Sequence, residues 1–138
     1  MKCHHTRRNR HEDGQAAVEF ALTLPIVLLL LVGILELGWV SANAMILENI
    51  TREGVRAGII ATDTSLNNEK ISQRIQDMAP DYFGSIDVTI TYSDPADFRA
   101  GDVTVVTHYA LPAITPLSGL ITEGGVFYLE ASCTMKMS

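Results

Sequence analysis

Few residues in this chain could do chemistry, and most of them stand at the wrong spacing for it. Cys3, His4, His5 and His11 are metal-ligating types. Their spacing is irregular, and the segment has no apolar residues to hold a tetrahedral geometry. His108 is the only histidine elsewhere, and in an alternating strand its neighbours Thr107 and Tyr109 point to the opposite face. Asp94, Asp97 and Asp102 share one loop without EF-hand spacing and read as solvated turn residues. No serine or cysteine sits at a nucleophile elbow, and no glycine-rich phosphate loop is present. The expectation is therefore no catalytic residue, no metal and no cofactor.

Glu19 is different, because its problem is electrostatic. It begins an apolar block running from Phe20 to Leu35, extended by the tolerant flank from Ala16 to about 20 residues. At about 1.5 Å per residue a helix of that length crosses a hydrocarbon core of about 30 Å. Helix is required there, since only internal pairing satisfies backbone amides in lipid, and Leu28 to Leu31 propagate one well. Pro25 removes one amide donor and bends the helix without ending it. A carboxylate in such a span costs about 2.5–3.5 kcal/mol at the bilayer centre and less toward the edge, where Glu19 lies. It calls for a partner or for solvent, and an interfacial acid reaching toward water is the simpler reading.

The residues before it sharpen the alternative. Gly14-Gln15-Ala16-Ala17-Val18-Glu19-Phe20 resembles the cleavage site of type IV prepilins, a glycine, four residues, then glutamate and a large apolar residue. The resemblance implies that a membrane aspartic peptidase cuts after Gly14, so that Gln15 becomes the N-terminus. Glu19 would then pair with the free amino group of a neighbouring subunit, two charges that are each costly alone in low dielectric and tolerable together. The wider run from Gly14 to Gly38 resembles the TadE-like proteins, minor pilins or pseudopilins of tight adherence (Flp) pilus systems. Ala16 to Leu22, Pro25 and Leu28 to Leu31 carry that likeness, and Leu35 closes the apolar span. It implies as partners the prepilin peptidase, other pilin or pseudopilin subunits, the inner-membrane pilus assembly platform and the lipid bilayer.

Charge orients the chain. Residues 1–14 carry Lys2, Arg7, Arg8 and Arg10 against Glu12 and Asp13, and the remainder is strongly acidic, for a total of −6. Basic residues flanking a span stay on the cytoplasmic side, so the leader is expected inside and the C-terminal part outside. An acidic exterior excludes nucleic acid, which needs a basic face. Arg7-Arg8 lacks the apolar residues that follow a twin-arginine signal. Cys3 and Cys133 fall on opposite sides of the membrane, and Cys133 reads as a small core residue.

The expected organisation is a cytoplasmic leader (1–14), a transmembrane helix (15–40) and an extracytoplasmic domain (41–138). The helix continues toward Ala61, with Val40, Ala44, Leu47, Ile50 and Gly54 on one buried stripe and an exposed Glu48–Arg52 pair. Gly54 and Gly58 form a small-residue groove, expected to seat the sheet. Thr62 to Asn68 is a turn, with Asn67 or Asn68 capping a second helix whose apolar residues are Ile71, Ile75 and Met78, ending at Pro80. Ile86 to Tyr92 and Asp102 to Ala110 predict an antiparallel hairpin across a turn-rich connection, and Phe127 to Lys136 a third strand. Leu111 to Gly125 is too broken for a long element. The class is α+β: one long helix, one short helix and a three-stranded antiparallel sheet, the pilin-like order.

Three readings follow for function. The first is a pilus subunit on the inner membrane. In the second, Ala42-Asn43-Ala44 is a signal-peptide site and a soluble domain is released after Ala44. The third is an uncut, signal-anchored binding protein.

Overall fold

The computed structural model describes residues 10–59, 64–94, 101–116, 118–120 and 122–137. The readings placed on Cys3, His4, His5, the His11 side chain, Arg7, Arg8, Ala61 and Asp97 lie outside this description. The elements run α1 (Arg10–Ile59), α2 (Thr64–Met78), β1 (Asp87–Tyr92), β2 (Asp102–Pro112) and β3 (Val126–Lys136), with 3₁₀ turns at Asp81–Phe83, Ser118–Leu120 and Glu123–Gly125. This is the expected α+β order. The chain divides into two compact units, one up to Leu35 and one from Glu36 onward.

In the first unit α1 is regular helix through Pro25. Its side chains from Gly14 to Leu31 are all exposed. The second unit holds the core. Its sheet has the order β1-β2-β3, antiparallel throughout. The register pairs Asp87 with His108 and Tyr92 with Val103, then Val103 with Met135 and Leu111 with Phe127. Two bonds in the same register as the β2–β3 ladder, Met137 N to Gly101 O and Ala113 N to Gly125 O, both 2.9 Å, fix its phase. Odd-numbered residues of these two strands therefore bond each other, and even-numbered residues of β2 face β1. Pro112 fits because its missing donor would point toward β1 beyond the Asp87–His108 pair, where β1 has not yet begun. Gly124 and Gly125 turn the chain into β3 at φ 77° and 67°, a conformation that favours glycine.

The alternation read from the sequence becomes one buried face. Val103, Val105, Tyr109 and Leu111 of β2 pack with Leu47, Ile50 and Val55 of α1 and Ile71 and Ile75 of α2. Cys133 is half-buried at the margin of that core, as a small apolar residue should be.

Four expectations need correction. The groove at Gly54 and Gly58 receives α2, not the sheet. A Cβ on Gly54 would lie 2.9 Å from Ile75 Cδ1, and one on Gly58 would lie 2.5 Å from Ile71 Cδ1, so the missing side chains are what let the two helices approach. Neither Asn67 nor Asn68 caps α2, which begins at Thr64. Asn67 is instead a fully buried helical residue, and Asn68 accepts a 2.5 Å hydrogen bond from the Tyr92 hydroxyl. Met78 is 38% exposed, so the buried face of α2 rests on Ile71 and Ile75. On α1 the stripe is more polar than expected: Ala44 is half-buried, while Glu36, Asn43 and Thr51 are buried with Leu47 and Ile50.

Candidate processing and assembly site

Gly14 and Gln15 lie in the first turns of α1, both exposed, with open space around Gly14. Glu19 follows one helical turn later and is exposed, and Phe20 beside it is 66% exposed. Thr23 donates its hydroxyl to the Glu19 carbonyl, so the hydroxyl is satisfied within the helix and adds no polar demand to an apolar face. The Glu19 carboxylate is thus presented outward among Val18, Phe20 and Leu22. Leu28, Leu31 and Leu35 are each more than half exposed, and Ala16 and Pro25 are exposed with them. The helix is long and apolar enough to cross a membrane, and its most apolar window is not buried within the chain. A soluble fold would cover such a surface; a bilayer or a bundle of like helices is the medium that suits it.

Where the second unit starts, sequence reasoning missed a polar seam. Glu36 is buried and its two carboxylate oxygens accept from the Ile114 amide at 3.0 Å and the Thr115 hydroxyl at 2.8 Å. One turn on, Trp39 lies tilted against Tyr82, ring centroids 5.5 Å apart, and the Tyr82 hydroxyl donates to Asn43 Oδ1 at 3.0 Å. Asn43 in turn donates to the Trp39 carbonyl at 2.8 Å. The ring series continues from Tyr82 to Phe83 and from Phe83, stacked at 4.3 Å, to Tyr109, which donates to the Tyr82 carbonyl. The spacing 36, 39, 43 is helical and was visible in the sequence; that polar residues occupy it was not a sign of burial by itself.

Burial raises the hydroxyl pKa of Tyr109 above its ordinary value, with the nearby Tyr82 hydroxyl adding to the effect. Burial alone raises that of Tyr92. Both tyrosines lie on the core side of the sheet.

The outer face of the sheet carries His108 between Asp87 and Glu130 in register. His108 Nδ1 stands 3.7 Å from Glu130 Oε2, and both side chains are at least half exposed. An open groove of about 450 Å³ borders them, with Phe83, Tyr109 and Tyr128 on its walls. Among the described residues no group of three or more His, Cys, Asp or Glu is placed to hold a metal ion. Glu48 and Arg52 form the expected surface pair at 3.7 Å.

Residues 14–56 match the family described as TadE-like protein, TadE. That is the family the residues from Gly14 to Gly38 resemble, and the matched segment points to a Tad pilus-related protein. The match opens at Gly14 and runs through the apolar block into the buried stripe of α1. No curated protein and no solved structure matches the chain.

Proposed function

We propose that this chain is a minor pilin or pseudopilin of a tight adherence (Flp, type IVc) pilus system, a structural subunit and not an enzyme. The observation that carries the proposal is the TadE-like match beginning at Gly14, on a helix whose apolar surface stays uncovered. The basic leader holds the N-terminus in the cytoplasm, prepilin peptidase cuts between Gly14 and Gln15, and the mature chain waits in the inner membrane as a single-pass protein with its C-terminal domain outside. Assembly buries the helix from Ala16 to Val40 against helices of other subunits on the assembly platform, serving pilus formation and surface adherence. Glu19 pairs with the new amino group of a neighbour and sets the axial register.

A signal cut after Ala44 fits the second unit less well. It would remove Glu36 from Ile114 and Thr115, and Asn43 from Tyr82, taking away two buried polar side chains and the hydrogen bonds that tie α1 to those residues. The uncut, signal-anchored reading keeps those contacts but gives Gly14 and Glu19 no role. Replacing Glu19 with Ala separates the pairing role from processing. The expected result is normal cleavage with pilus assembly impaired; pili formed at the normal level would remove Glu19 from the assembly mechanism.

A further inference from the structure

The sheet ends on β3 without a neighbour on its far side: among the described residues β3 pairs only with β2. Because odd-numbered residues of β3 bond to β2, Glu130, Ser132, Thr134 and Lys136 direct their N–H and C=O groups at the open edge. An edge of 11 residues with unpaired backbone groups is a template for another strand. The side chains along it are also incompletely covered. Phe127, Leu129, Cys133 and Met135 are half-buried, whereas Val103, Val105, Tyr109 and Leu111 on the central strand are buried.

Charge selects the occupant. β3 carries one acid, Glu130, and one base, Lys136, both exposed. In antiparallel self-pairing, even residues must oppose even residues to satisfy both edges. Glu130 can then face any even-numbered residue of β3 in a second copy, from Val126 to Lys136. Only the last register neutralises both charges, and by two-fold symmetry it does so twice. It also sets Ser132 against Thr134 on the polar face and Ala131 against Met135 on the apolar face. β1 offers no comparable match to itself, since it has Asp87 and no cation among its 6 residues.

We propose that β3 pairs antiparallel with β3 of a second copy of this chain, in the register that sets Glu130 against Lys136 in both directions. The two-fold axis then passes through Cys133, a position where facing residues make no ladder bonds and their Cα atoms approach to about 4.5 Å. That separation lies within reach of a disulfide. The arrangement gives the outer domains a contact of their own, independent of cleavage after Gly14 and of the helix packing proposed above.

The thiol makes the register testable in the full-length chain carrying Cys3→Ser, held in membranes and treated with copper–phenanthroline. Two Cys133 thiols would release two protons and pass two electrons to the copper oxidant, giving a disulfide dimer on a non-reducing gel. Glu130→Lys should lower the dimer yield roughly tenfold, because two attractions become two repulsions. The double variant Glu130→Lys, Lys136→Glu should restore it. Absence of the dimer, or a yield insensitive to Glu130→Lys, would overturn the proposal. So would preferential intermolecular linkage of Cys133 to an introduced Ile90→Cys, which would mean that β3 pairs with β1 of the next copy.

Discussion

The hydroxyls of Thr51 on α1 and Thr107 on β2 meet at 2.7 Å inside the core, both side chains wholly buried. The Thr51 hydroxyl also has the Leu47 carbonyl as an acceptor at 2.6 Å and the Thr107 hydroxyl has the Ala131 carbonyl at 3.2 Å, so the two hydroxyl protons are shared among three acceptor positions. This contact ties the helix to the sheet at a defined height. Either Thr→Val substitution keeps the shape and strands one partner, and should cost about 1–2 kcal/mol. The double Thr→Val variant should cost less than the two single losses together, because both halves of the pair leave at once. Thermal unfolding of the full chain in detergent micelles, followed by circular dichroism, measures the cycle. Strict additivity would deny the coupling.

The approach of α1 to α2 depends on two missing side chains. Gly58→Ala places a methyl group against Ile71, and Gly54→Ala places one against Ile75, each without room. Each should destabilise the second unit by about 1–3 kcal/mol despite alanine's better helix propensity. Gly38→Ala meets open space and should not destabilise it. Adding Ile71→Ala to Gly58→Ala relieves the clash at the cost of core volume, so the pair should again depart from additivity in the same unfolding assay.

Alkaline pH should loosen the domain. Burial holds the Tyr109 and Tyr92 hydroxyls above their ordinary value of 10.0, so the folded state keeps protons that the unfolded state gives up. The stability from this source is therefore intact below pH 10 and falls as pH rises from there toward the folded-state values. Tyr109→Phe removes part of the dependence. Midpoints of thermal unfolding between about pH 8 and 11 should decline more steeply in the parent chain than in the variant; parallel declines would assign the effect to other groups.

Much of this architecture was legible because it is written in local periodicity. Phe127, Leu129, Ala131, Cys133 and Met135 alternate with polar residues, and β3 follows directly. The unbroken apolar run from Phe20 needs no tertiary information to read as a long helix. What escaped were positions whose meaning depends on distant residues. Glu36 reads as a solvated acid until Ile114, 78 residues later, brings its amide to it. Asn43 acquires its role from Tyr82, 39 residues away. Gly54 and Gly58 announced a close approach without saying to what, and Asn67 looked like a cap because its burial depends on how α2 lies on α1. The residues proposed for processing, Gly14, Gln15 and Glu19, were legible by resemblance alone, since all three are exposed and the roles proposed for them lie in encounters with other molecules.

The account turns on where the mature chain begins. Mass spectrometry of the protein recovered from membranes, in cells with and without prepilin peptidase, reads this directly. The account predicts a chain starting at Gln15 that depends on the peptidase and reverts to an intact N-terminus in its absence. A peptidase-independent start at Met45, or an intact leader in both strains, would contradict it.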